Sequence, residues 1–233
     1  MKFLRKISGL QIVNREELLT KYCNGKSVLH LGFVDEGLIA DKIISNDWLH
    51  AKLHPLCKEL WGVDIDEAGI RMARSAGYDN LLYGNVEEPK SINIGKRFDV
   101  VLAADIIEHL SNVNGLLETI RLNKHENGVG IISTPNAMRY YNTILALLGY
   151  ELIHPTHTMW LSVATIQYLL KSRGFEILEF YMFHNTRKFK PISSDSFLRI
   201  LMKIPLYFFD LLASKTLIRA CPLISDGIIV VFR

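Results

Sequence analysis

The chain has 233 residues, 49% apolar and 22% charged, enough for one α/β domain with a real core. Its net charge of +3 is dispersed, which argues against a nucleic-acid partner, and its three cysteines are widely spaced with no CxxC pair, so neither a disulfide framework nor a metal site is expected. No uncharged apolar run reaches the roughly 18 residues that would cross a bilayer, and a cytoplasmic protein is expected.

Met1–Leu10 is basic, but Arg5, Lys6 and Ser8 break its apolar run, so it does not read as a signal peptide. Asn14–Tyr22 reads as a short helix capped by Asn14, with Glu16 and Glu17 in its first turn. Asn24-Gly25 turns the chain into a first buried strand, Ser27–Leu31, which ends in a glycine turn at Gly32 and Gly37. Leu38–Cys57 carries Trp48, Leu49, His50 and Leu53 at helical spacing. Glu59–Ile65 is a second strand, Glu67–Ala76 a helix stopped by Gly77, and Asn80–Tyr83 a third strand ending at Gly84-Asn85. Arg97–Ala104 is a fourth strand, followed by Asp105, Glu108 and His109. Val113–Leu122 is amphipathic, and Asn127-Gly128 turns it into strand five, Val129–Ser133. This alternation is the pattern of a doubly wound, mostly parallel sheet.

Beyond Thr134-Pro135-Asn136, Ala137–Gly149 reads as an apolar helical insert and His154–Ser162 as a loop. Val163–Ser172 is a helix, Phe175–Phe183 strand six, and Gly227–Arg233 a last strand that suggests an antiparallel edge. No linker marks a second domain: a single domain is expected over 1–233, with a core near 25–183, an insert near 137–160 and an apolar extension near 190–225.

Ligands on open α/β sheets bind where the strand carboxyl ends open into loops. Asp64, ending strand two, is placed to accept hydrogen bonds from both ribose hydroxyls of a nucleoside. It stands further from Gly32 than the usual spacing of roughly 20 positions, and Leu38–Cys57 accounts for the excess. Asp66 is the better cap for the next helix. Asn85 offers a donor and an acceptor to an adenine edge.

The order VLHLG, LWGVDID, YGN, FDVVLAADIIEHL, GVGIISTPN, LLKSRGF resembles a class I S-adenosylmethionine-dependent methyltransferase, most similar to the small-molecule type 11 or 23. The resemblance covers roughly residues 25–183. It implies a seven-stranded Rossmann-like sheet and S-adenosyl-L-methionine as cofactor. It further implies Gly32 against the methionine part of the donor, Asp64 on the ribose, Ile65 beside the adenine, Asn85 at the adenine amine, and Ala104 and Asp105 close to the donor. Two departures stand out: His30 replaces the usual Asp, and Val34 and Glu36 replace glycines, which restricts φ and blocks close backbone approach. The WLHAKL segment at Trp48–Leu53 resembles a subgroup with a similarly altered loop.

Methyl transfer needs alignment of the acceptor, plus a base where the acceptor is a hydroxyl. His109, His154 and His157 are candidates, and His157 and His109 are the catalytic assignments. The expected acceptor is a small-molecule, glycan or lipid-linked hydroxyl. The alternatives are a catalytically silent nucleoside- or partner-binding module on the same fold, and an oxidoreductase, which the failed glycine fingerprint and the missing Tyr-x-x-x-Lys pair disfavour. Phe197–Ala213 is the most apolar stretch, broken by Pro205. It reads as a lid or sheet-edge cover, or as an interfacial helix meeting a membrane through Phe197, Leu198, Leu201, Ile204, Phe208 and Leu211, with Arg199 and Lys203 at the headgroups.

Overall fold

A computed structural model describes residues 4–35, 37–92, 94–185, 212 and 216–233. The apolar stretch Phe197–Ala213 lies outside the described residues except for Leu212, and with it most of the expected extension and its membrane contact. In chain order the elements are β1 (Gln11–Val13), α1 (Arg15–Cys23), β2 (Ser27–Leu31), α2 (Ile39–Ser45), α3 (Leu49–Leu53), β3 (Glu59–Asp64), α4 (Glu67–Ser75) and β4 (Leu81–Tyr83). There follow β5 (Phe98–Ala104), α5 (Val113–Asn123), β6 (Lys124–Pro135), α6 (Tyr140–Leu147), α7 (Val163–Ser172), β7 (Ile177–Phe183), α8 (Leu217–Ala220) and β8 (Gly227–Phe232).

The strands form one sheet in the order β1-β7-β8-β6-β5-β2-β3-β4. β2 to β6 are mutually parallel, β1 runs parallel to β7, and β8 is antiparallel to both β6 and β7. The doubly wound, mostly parallel sheet is therefore present, with two differences from expectation. An eighth strand, the three-residue β1, extends the edge beyond β7. The antiparallel strand is not an edge but lies between β6 and β7. All six residues of β8, GIIVVF, are buried, which is what a continuous apolar run requires when both sheet faces are covered.

The period-two alternation of strand side chains divides the core. Leu29, Leu31, Val101, Ala103, Ile132 and Val230 pack on one face with Leu116 and Ile120 of α5 and Ile166 and Leu170 of α7. Val28, Val100, Leu102, Ile131, Ile229 and Val231 pack on the other with Leu19 and Cys23 of α1 and Leu53 of α3. Caps fall where the sequence placed them. The Asn14 side chain accepts from Glu17 N, and that of Asp66 accepts from Ala68 N and Gly69 N. The Leu38–Cys57 stretch, however, is two short helices. Asn46, in the left-handed region at φ 52°, closes α2, a conformation its short polar side chain tolerates.

Candidate active site

Strand order reverses between β2 and β5, so the crevice of this sheet opens at their carboxyl ends. Register pairs Leu31 with Val63 and Ala103, and Asp64 with Tyr83, which brings Gly32, Asp64 and Ala104 to one end of the sheet. A cleft of about 240 Å³ lies there, its lining including Arg15, Gly32, Phe33, Val34, Lys52 and Ala104. Gly32 has φ +65°, and a Cβ on it would stand 2.3 Å from Ile106 Cδ1, so only glycine fits this turn. Asp105, like Asn46, is a short polar residue in the left-handed region, at φ 54°, and its partners hold it there. Its N–H donates to Ser133 O at 2.9 Å, Ser133 Oγ donates to its Oδ1 at 3.0 Å, and Arg15 meets its Oδ2 at 2.7 Å.

Asp64 is buried, and its two oxygens accept from Val34 N at 2.8 Å and Asp66 N at 3.0 Å. Burial raises its pKa, with these backbone donors opposing. The carboxylate thus fixes the loop after β2 and keeps further lone pairs for a ligand. Beside it Ile65 is 59% exposed, with no packing partner in the core clusters, and Asp64, Ile65 and Asn85 are not among the residues that line the cleft. Asn85 is committed in part to its own turn: Glu87 N donates to its Oδ1 at 3.0 Å, and its Nδ2 donates to Glu88 at 3.1 Å.

Both departures from the family pattern have a partner. His30 is buried on the α3 face and pairs with buried His50 at an Nδ1–Nδ1 distance of 3.3 Å, so one ring donates and the other accepts. Burial, then the charge of Arg15, pushes the His30 pKa down to about 3; burial also lowers that of His50, and the pair stays neutral. Trp48 Nε1 donates to Phe33 O at 2.7 Å, tying α3 to the loop. Val34, in the place of a glycine, is accommodated by a glycine elsewhere: a Cβ on Gly69 of α4 would stand 2.3 Å from Val34 Cγ1. Gly69→Ala should therefore destabilise the fold by about 1–2 kcal/mol, because overpacking outweighs the gain in helix propensity. Adding Val34→Ala should restore part of the loss, measured as urea midpoints, the rest remaining because the same Cβ would stand 2.7 Å from Asp66 Oδ2. A fully stable single variant would show that the contact is slack.

At the end of β5 a short 3-10 turn, Ile107–His109, carries the next groups. The loop 154–160 docks on it: Thr158 N donates to Glu108 O at 2.8 Å, and Thr158 Oγ1 to Leu110 O at 2.7 Å. This joins the three expected histidines, with ring centroids of His109 at 4.6 Å from His157 and 5.7 Å from His154. The pKa of His157 is lowered by burial first, then by its two histidine neighbours and Arg139, which keeps it a neutral proton acceptor near pH 7.

Sequence reasoning did not single out Arg15 or Lys52, whose helices lie far from the glycine turn in sequence, nor Glu108. The last is 2% exposed, accepts from Thr134 Oγ1 at 3.0 Å, and has its pKa raised to about 8 by burial and then by Asp105. A carboxyl whose folded pKa lies above its unfolded value of about 4.5 favours the folded state below that value and loses this contribution as pH rises through 8. Glu108→Gln should accordingly flatten the stability profile: between pH 5 and pH 9 the wild type should lose more unfolding free energy, measured by urea titration, than the variant, by on the order of a few kcal/mol. Parallel profiles would mean that the carboxyl ionises freely in place.

A family model described as a methyltransferase domain matches residues 46–179. A ubiquinone biosynthesis O-methyltransferase of Azorhizobium caulinodans is 31% identical over 121 residues, covering 49% of this chain and 44% of that protein. A probable S-adenosylmethionine-dependent methyltransferase of Mycolicibacterium smegmatis is 29% identical over 163 residues, 68% of this chain and 55% of that protein. The matches span about half the length of these curated relatives. Among solved structures, a SAM dependent methyltransferase from Archaeoglobus fulgidus is 20% identical with a TM-score of 0.54, covering 93% of each chain, a likeness of fold. No helix among the described residues is long and apolar enough to cross a membrane.

Proposed function

The chain belongs to the methyltransferase family, and from that premise we propose that it transfers a methyl group to a hydroxyl of a small-molecule, glycan or lipid-linked acceptor. The donor, S-adenosyl-L-methionine, supplies an activated methyl group on a sulfonium. The residues fit it. Gly32 presents bare backbone to the cleft, Asp64 keeps acceptor capacity for ribose hydroxyls, and exposed Ile65 offers an apolar face to a base. Arg15 and Lys52 also line the cleft, each already paired with acids of the same lining, Arg15 with Asp105 and Lys52 with Glu16 and Asp47, so a donor carboxylate would have to share or exchange these partners. Asn85 retains one amide hydrogen and one lone pair for an adenine edge. Ala104 and Asp105 line the same cleft.

The observation that carries the hydroxyl assignment is the histidine cluster. A hydroxyl attacking a sulfonium methyl must lose its proton, and a neutral imidazole within reach is the group that takes it. His157 is held neutral, with His109 beside it. An oxygen acceptor is also what the names of the curated O-methyltransferase relatives suggest. A silent binding module would follow if Val34 spoiled the loop, but Gly69 makes room for it, which favours catalysis.

The test supplies labelled donor and a fractionated extract to the purified chain. Label in a methyl ether supports the reading. Label on nitrogen or carbon, or none in any fraction, overturns it.

A further inference from the structure

The histidine cluster has a property that proton transfer does not require. His109, His154 and His157 each offer one ring nitrogen, and these three nitrogens lie within 4.8 Å of one another. Thr158 holds them there: its N–H donates to Glu108 O and its hydroxyl to Leu110 O, which docks the loop on the turn. The Thr156 hydroxyl lies 2.7 Å from His109 Nδ1 and 2.8 Å from His154 Nδ1. Thr156 N also donates to His154 Nδ1 at 3.4 Å, which makes that nitrogen an acceptor, so the hydroxyl donates to His154 and His109 carries its proton on Nδ1 with a lone pair on Nε2; His154 would ligate through Nδ1 in place of these bonds or after moving its proton. A hydroxyl partner that fixes an imidazole tautomer is the outer support metal-ligating histidines use. His157 is partly buried, and its Nδ1, shielded from solvent, has no hydrogen-bond partner among the described residues.

We propose that His109, His154 and His157 form a binding site for a divalent transition-metal cation of the zinc type. Three neutral imidazoles suit zinc or cobalt, whereas magnesium and calcium select oxygen ligands. Three protein ligands leave a fourth position open, as in zinc sites that take water or a substrate rather than purely structural ones. That the fourth position receives the acceptor oxygen rests on the hydroxyl reading above; the binding itself does not. With the cation in place His157 is a ligand, and a coordinated hydroxyl loses its proton to water at lower pH than a free one.

Chelator-treated full-length chain is titrated with cobalt(II) alone, and zinc(II) is then added. One equivalent of cobalt should give the visible ligand-field absorption of a four-coordinate nitrogen site, and zinc should remove it. His154→Ala changes an exposed residue and should retain the fold by circular dichroism. It should weaken cobalt binding by at least about 10-fold, the scale on which even supporting residues act. His157→Ala should do the same, and Cys57→Ser should leave the spectrum unchanged. An absent spectrum, one that survives both histidine substitutions, or one lost with Cys57→Ser overturns the proposal. No donor or acceptor is present, so the hydroxyl reading can fail while cobalt binds, and cobalt can fail to bind while methyl ethers form.

Discussion

His157→Ala should lower turnover by about 10²–10⁴-fold with donor affinity intact, the usual worth of a positioned proton acceptor. The ring belongs to the loop docked on the 107–110 turn and not to the strand ends that form the donor cleft, so its loss should not reach the donor. The pH profile carries a second signature. A base whose pKa lies below its ordinary value of 6.5 stays active through neutrality, and the rate should fall only on the acid side of that value. The variant should lose this acid limb along with most of its rate. His109→Ala is the companion measurement, since that ring stacks edge-on against His157 at 4.6 Å. If both variants keep wild-type turnover while chemistry limits the rate, the acceptor proton leaves by another route.

Asp64→Ala should weaken donor binding by roughly 10- to 100-fold, because hydrogen bonds to a charged group are worth about 1.5–3 kcal/mol and each decade of affinity about 1.4 kcal/mol. The structure adds a second cost. The same carboxylate receives the Val34 and Asp66 N–H groups, so its removal leaves two backbone donors unmatched and loosens the loop after β2. Asp64→Asn separates the two effects, because a carboxamide oxygen can still accept one of these bonds while the charge is gone. Calorimetric titration with the donor should find both variants weakened and the alanine variant also less stable to urea. An unchanged Kd in a folded alanine variant would remove Asp64 from the ribose.

Most of the sheet was legible because its strands are short apolar runs bounded by glycine, asparagine or charge, and the place of Asp64 at the end of a strand was legible because the apolar run before it stops there. What escaped depends on pairings between distant residues. β1 has only three residues, none fully buried, and no local pattern marks it; it exists because β7 offers an edge. β8 looked like an edge strand because nothing in GIIVVF reveals that β6 and β7 flank it. His30 and Val34 read as damage to a glycine loop when taken alone. Their answers, His50 and Gly69, lie on other elements, and only the fold brings each pair together. The histidine cluster was half visible: the residue types were plain, but the contact between 109 and 157 is made by loop docking.

The position of β8 bears on the order in which the chain can assemble. β2 to β6 lie consecutively in sequence and pair among themselves, so the half of the sheet that carries the crevice can form on the ribosome soon after Pro135 emerges. The other half cannot. β7 joins it only through β8, and β1, made first of all, pairs Gln11 with Tyr181 and so must wait for strands synthesised long afterwards. Closing so long a loop is slow. Until it closes, β1 has no strand to pair with, α1 and its Arg15 are joined to the finished crevice through β2 alone, and the edge of β6 that β8 will cover stays open.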